Sequence, residues 1–417
     1  MGDPHSRPGA VTNPSAAQAS SRLRIVVLGY IIRGPLGGMA WHHLQYVLGL
    51  KQLGHEVLFL EDSDDYPSCY DPSTHVIGTD PSYGLRFADQ AFARLELADC
   101  WAYYDAHRKR WYGPASDSAM RFCRDAEVLI NVSGVNPIRR WLESIPVRVL
   151  IDTDPVFTQI RHLNDQAARD RAAQYNAFFS FGELIETSDN SIPDDGLDWH
   201  ATRQPVVLDA WPADEGAADG RFTTVMQWDS YPAIEFDGQR YGMKSESFDI
   251  VRRLPGRVKR PLEIALGGSS APRQELQRLG WRLVDPLAVT RDPWTYQAYL
   301  HSSRGEFSVA KHGYIAGRSG WFSERTACYL ATGRPAVVQD TGFSRHLPCG
   351  EGLWAFDTAD SAKEALQQVD VNYRAQCRAA RDLAAEYFDS RKVLPSLLER
   401  SATFAAKTPN ANSSRVT

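Results

Sequence analysis

The sequence predicts an α/β protein of two facing domains, each an open parallel sheet flanked by helices. Three observations carry this. Short continuous apolar runs recur, each ending in glycine or a polar turn, with stretches of helical apolar spacing between them. The series occurs twice, before and after a segment rich in Asp, Gly and Ala at 206–221. The 417 residues also exceed what one core serves, so two domains of roughly 200 residues each are expected.

Taken in order, residues 1–21 are rich in Ser, Pro, Ala and Gly and lack the apolar centre of a signal peptide, so they read as a disordered leader. Arg24 to Gly29 is the first buried strand. A loop with Gly34, Gly37 and Gly38 follows, then a helix from Trp41 to Leu53 and a strand from Glu56 to Leu60, a βαβ unit. Further strands are expected at Glu127 to Val132, Val147 to Ile151 and Ala177 to Ser180, completing a first domain over 22–205. The 206–221 segment reads as a hinge. The second domain, 222–385, is expected to hold strands at Phe222 to Trp228, Leu262 to Leu266, Trp281 to Val284, Glu306 to Val309, Ala336 to Gln339 and Leu353 to Phe356. Its helices are expected at Glu246 to Leu254, Arg273 to Leu279, Trp294 to His301 and Glu324 to Thr332. Ala362 to Arg400 is amphipathic helix with a break expected near Asp389 or Pro395. Residues 386–402 are candidates to return to the first domain, and 403–417 read as a disordered tail.

Composition narrows the function. A formal charge of −5 and a pI of about 6.1 provide no field for nucleic acid or anionic membrane. The six cysteines are scattered with no CxxC pair, indicating neither a zinc site nor a disulfide framework. No apolar run is long enough to span a bilayer, and a cytoplasmic location is the expectation. GxGxxG does not follow the first strand, which disfavours a nicotinamide-dependent dehydrogenase, and GxxxxGK[ST] is absent.

The richest stretch is Lys311 to Phe356. A strand ending in the polar turn Asp340-Thr341-Gly342, beside a helix with a carboxylate at Glu324, suits a nucleoside diphosphate. Backbone N–H groups of the turn can take phosphate, and a carboxylate can accept from ribose hydroxyls. Thr341 and Gly342 read as phosphate or sugar contacts with an ordinary turn as the alternative, and Ser323 as a helix cap, a phosphate contact or both. In such sheets ligands lie at the carboxyl ends of strands, so two facing sheets put the site in the cleft between them.

Over residues 22 to 400 the chain resembles a GT-B glycosyltransferase, two Rossmann-like domains sharing an interdomain active site. "GGMAWHHLQYVLGLKQLGHEV" is similar to the family's opening loop and helix, and "QDTGFSRHLPCGEGLWAFDTADSAKEAL" to its strand–loop–strand and helix. The resemblance implies a metal-independent hexosyl transfer from a nucleoside diphosphate sugar, the co-substrate, with no separate cofactor. It implies a pyrophosphate-binding cation at Lys244 or Lys311, against a bland reading of both as surface lysines. It implies a ribose contact from Glu324, whose bland reading is pairing with the helix dipole or Arg325. Gly37 and Gly38 would approach the donor, or merely form a tight turn. One departure is Cys328, which stands about one helical turn beyond Glu324, where the family carries its ribose carboxylate.

A general base is sought at the carboxyl end of Val147 to Ile151, where Asp152 and Asp154 stand in "IDTDP"; an Asx turn is the alternative. His42 or His43 is the rival base, one of the pair being structural. The acceptor, whether small molecule, glycan or protein, is expected against the segment Asp62 to Arg121, whose aromatics line a pocket or simply pack. A nucleotide-sugar 2-epimerase and a non-catalytic sugar- or nucleotide-binding protein are the rival functions.

Overall fold

The computed structural model describes residues 22–217 and 219–407, so the leader at 1–21 and residues 408–417 of the expected tail lie outside the described residues. An eight-stranded sheet forms from the first half. Its order is Trp199–Ala201, Ala177–Ser180, Val147–Asp152, Val128–Val132, Arg24–Leu28, Glu56–Asp62, Trp101–Asp105 and Arg110–Tyr112. All neighbours run parallel except Arg110–Tyr112, an antiparallel edge. The second half forms a six-stranded parallel sheet in the order Arg282–Val284, Leu262–Gly267, Phe222–Gln227, Gly305–Ser308, Ala336–Gln339 and Leu353–Phe356. Numbered along the chain this is 3-2-1-4-5-6, the doubly wound nucleotide-binding order. The central strands are apolar on both faces because helices cover both faces.

Three differences from the sequence expectation have physical causes. Gly37 and Gly38 open the helix Gly37–Gln52 rather than forming a loop, because two small residues let it press against the second domain. The segment 62–121 is not a free acceptor wall. It supplies the last two strands of the sheet, a hairpin (Cys69–Asp71 with Val76–Gly78) and the helix Ser82–Arg94, with Trp101 and Tyr103 buried and Tyr104 packed with Trp111 and Trp141. The C-terminal helices break at Phe388–Asp389, one of the two expected positions, and also at Asn372. Pro395 instead sits inside the helix Ser390–Lys407, which burial of Leu394 and Leu397 holds in place. That helix continues through Thr403 to Lys407, residues expected in the tail.

The chain crosses between the sheets twice, and the crossings hydrogen-bond to each other. Val206 donates to the Phe388 carbonyl at 2.7 Å and accepts from Ser390 at 2.9 Å. Val206, Val207, Leu208 and Trp211, which open the 206–221 segment, are buried, with Trp211 against Trp41. The helix Ser390–Lys407 then packs on Gly37–Gln52 and on the strands Val147–Asp152 and Ala177–Ser180 of the first sheet. A β-carbon on Gly49 would stand 2.6 Å from Leu394.

One buried carboxylate organises the loop after the first strand. Glu61, fully buried, accepts the backbone N–H groups of Ile31, Ile32 and Arg33 at 2.6, 2.8 and 2.6 Å and sits 3.4 Å from the Arg33 guanidinium. The donors that a dinucleotide phosphate meets in other doubly wound folds are thus filled from within. Glu61→Ala is expected to lower unfolding free energy by about 3–5 kcal/mol, since it strands three donors and a buried cation. Glu56→Ala, whose partners Arg22 and Arg24 are exposed, should change it by less than ~1 kcal/mol. Urea unfolding of the two variants makes the comparison, and equal losses would contradict this role for Glu61.

Candidate functional site

The carboxyl ends of the two sheets face a cleft of about 850 Å³. Its second-domain wall includes Val225 and Gln227 at the end of the first strand, with Lys244, Lys311, Glu324 and Arg325. Its first-domain wall includes Tyr30, His42, Asp154 and Arg161. The cleft therefore opens at the point where strand order reverses in the second sheet.

Arg325 is the residue sequence reasoning missed. Its guanidinium pairs at 2.7 Å with Glu306, which is fully buried in the strand Gly305–Ser308, and it donates to the Val225 carbonyl (2.9 Å) and Ser308 Oγ (3.2 Å). The available signal was Glu306 itself. A carboxylate inside an otherwise apolar parallel strand demands a buried cation, and Arg325 is one helix away.

Lys244 opens the helix Lys244–Phe248 and has no ion pair or hydrogen bond among the described residues. Burial, together with the nearby charges of Arg325 and Lys311, lowers its pKa to about 7. Glu324, in the first turn of the helix Glu324–Ala331, also lacks an ion-pair partner among the described residues, because Glu306 has taken Arg325. The site thus holds an unpaired ammonium, an anchored guanidinium and an open carboxylate on one wall.

Lys311 and Asp154 both reach the cleft but occupy each other. Lys311 Nζ donates to Asp154 Oδ1 at 2.7 Å and to the Tyr231 hydroxyl at 2.8 Å, while the hydroxyls of Tyr231 and Tyr314 donate to the same carboxylate. Three rings surround the ammonium, with centres 4.5 Å (Tyr231), 5.1 Å (Phe157) and 5.3 Å (Tyr314) away. The pair crosses between domains, so it is a clamp, neither a free phosphate cation nor a free base. Next to it Val156 adopts φ 76°, a strained value for a β-branched residue. That conformation seats Val156 on Gly317 and Phe157 on Gly313, where added β-carbons would lie 2.4 Å from each side chain.

Asp152 is likewise occupied by neighbours. It is buried and accepts from Thr158 (2.7 Å), Ser180 (2.8 Å), Gln159 (3.2 Å) and the Asp154 N–H (2.8 Å). Burial raises its pKa and these bonds oppose the rise.

The two histidines separate cleanly. His43 is core, with Nδ1 at the Met39 carbonyl and the ring against Gly29. His42 lines the cleft with its pKa pushed down to about 4 by burial, so it is a neutral imidazole at neutral pH.

Other sequence candidates lie outside the cleft lining. A β-carbon on Gly37 would meet the Asp292 carbonyl at 2.2 Å, and one on Gly38 the Tyr296 ring at 3.1 Å, so both serve interdomain packing. Ser323 caps its helix by accepting from Arg325 N–H at 3.2 Å. Thr341 donates to the Trp321 carbonyl at 2.6 Å, and the left-handed Gly342 faces Leu184. Within the turn the Gly342 N–H donates to Asp340 Oδ1 at 2.8 Å, and the Thr341 carbonyl accepts from the Gly320 N–H at 2.9 Å. Cys328 is buried against Gln45. Among the described residues no three His, Cys, Asp or Glu side chains converge as metal ligands, and no helix is long and apolar enough to cross a membrane.

A double-mutant cycle of Lys311→Met and Asp154→Asn, read by denaturant unfolding, should show a coupling of about 1–3 kcal/mol. Additive losses would contradict the clamp.

No family model matches the sequence, and no curated protein matches it. Solved structures do resemble it. AviGT4, a glycosyltransferase involved in avilamycin A biosynthesis, is 13% identical, with 93% of this chain and 99% of that one covered at a TM-score of 0.52. An alpha-glucosyltransferase in complex with UDP and a DNA 13-mer is 13% identical (91% and 99% covered, TM-score 0.54). HepE of Anabaena, in complex with UDP and glucose, is 9% identical (92% and 100% covered, TM-score 0.54). At such identities the likeness speaks for architecture, and the chain has the GT-B fold.

Proposed function

We propose that the protein transfers a hexose from a nucleoside diphosphate sugar to an acceptor, without a metal ion. The observation that carries this is Lys244, an ammonium with no counter-ion, beside the anchored Arg325 at the strand-order reversal of the second sheet. Two cations there neutralise the charge that builds on a departing diphosphate. Glu324, open on the same wall, is suited to accept from the ribose hydroxyls. Across the cleft, neutral His42 is the group able to take the acceptor proton, since Asp152 and Asp154 are committed elsewhere. A cytoplasmic location is part of the proposal: all six cysteines are unpaired, as a reducing compartment keeps them.

Thermal shift with UDP, GDP, dTDP and ADP tests the donor. One of them should raise the Tm, and Lys244→Met should weaken its binding tenfold or more. An anion beside Lys244 favours the protonated amine, so affinity should fall as pH rises above about 7 and the slope should vanish in Lys244→Met. A flat pH profile in the unmodified protein would contradict this role.

His42→Gln should lower turnover about 10²–10⁴-fold with diphosphate affinity unchanged. Diphosphate binding with no turnover across acceptors would instead make this a non-catalytic binding protein.

A further inference from the structure

The first-domain wall of the cleft opens into a narrow side pocket of about 70 Å³, with Ser133, Thr158 and Arg161 common to both spaces. The pocket lies at the carboxyl ends of the strands Val128–Val132 and Val147–Asp152, beside the strand-order reversal of the first sheet. That sheet's other anion-binding feature, the loop after its first strand, is filled by Glu61.

Two arginines and a histidine line the side pocket: Arg161, Arg171 and His162. Neither arginine has an ion pair or side-chain hydrogen bond among the described residues, in a chain with 51 acidic residues against 46 basic ones. His162 Nδ1 lies 2.7 Å from Asp195, a buried carboxylate that also accepts from the Trp199 indole at 3.0 Å. A carboxylate acceptor fixes the proton on Nδ1, which leaves Nε2 uncommitted. The backbone N–H of Gly134, a residue in the same wall with φ 61°, also has no partner among the described residues. The one carboxylate in the lining, Asp152, has its oxygens taken by Thr158, Ser180, Gln159 and the Asp154 N–H.

From this convergence we infer that the acceptor carries a compact anionic group, a phosphate monoester or a carboxylate, which docks between Arg161, Arg171 and the Gly134 N–H while its hydroxyl faces the cleft. Planar guanidinium groups suit bidentate contact with either oxyanion. The inference rests on the donor reading above, since it assigns the opposite wall to the acceptor.

Titration calorimetry with glucose 6-phosphate, glucuronate and glucose tests it, on the full chain with and without a saturating nucleoside diphosphate. At least one of the two anions should bind and glucose should not; which one binds identifies the group. Arg161→Gln/Arg171→Gln should weaken that binding tenfold or more, and Arg161→Lys/Arg171→Lys should restore part of it. Both arginines are exposed, so these variants should keep the fold and their diphosphate affinity. Lys244→Met should leave anion binding intact, which separates this pocket from the donor site. Failure of both anions to bind, or equal binding by the double Gln variant, overturns the inference. Anion binding without any diphosphate binding would sink the donor reading and leave this pocket standing.

Discussion

The arrangement depends on one ion pair that spans the two domains. Lys311, enclosed by three aromatic rings, holds Asp154 of the opposite sheet, and the strained Val156 and neighbouring Phe157 dock onto glycines of the helix that follows Lys311. This fixes the carboxyl ends of two parallel sheets face to face. In that arrangement Lys244, Glu324 and Arg325 share a space with His42. The two charges are partly buried, and desolvation offsets much of their attraction, so the pair is better understood as setting geometry than as glue.

Two buried carboxylates, Glu61 and Glu306, make the domains differ. Glu61 turns inward on the loop after the first strand and satisfies its backbone donors, so that loop has nothing left for a phosphate. Glu306 instead braces a guanidinium against the end of the second domain's first strand. Both sheets are doubly wound, yet the Lys244 and Arg325 pair that suits a diphosphate is on the second. The sequence shows both residues as acids within or at the end of apolar strands; what each faces depends on chain packing.

Much of the architecture was legible because parallel strands buried on both faces leave unbroken apolar runs. Ala177–Ser180, Ala336–Gln339 and Leu353–Phe356 fall where those runs predict. Trp101–Asp105 and the edge strand Arg110–Tyr112 were missed because their Trp and Tyr residues, flanked by charges, read as pocket aromatics rather than as strands. Site residues were less legible. Lys244, Glu324 and His42 line the cleft, while Thr341 and Ser323 spend their hydrogen bonds on the protein itself. Sequence reveals which groups can bind a phosphate, but whether a neighbour has already claimed them is a matter of tertiary contact. Asp154 and Lys311, 157 residues apart, show this most clearly, since each is a plausible site residue until the other is placed beside it.

The most direct test is an experimental structure of the protein with a nucleoside diphosphate bound. The account predicts the diphosphate at the carboxyl end of Phe222–Gln227, hydrogen-bonded by Lys244 and Arg325, with the ribose toward Glu324. A diphosphate seated in the Ile31–Arg33 loop, or anywhere out of reach of Lys244 and Arg325, would contradict it.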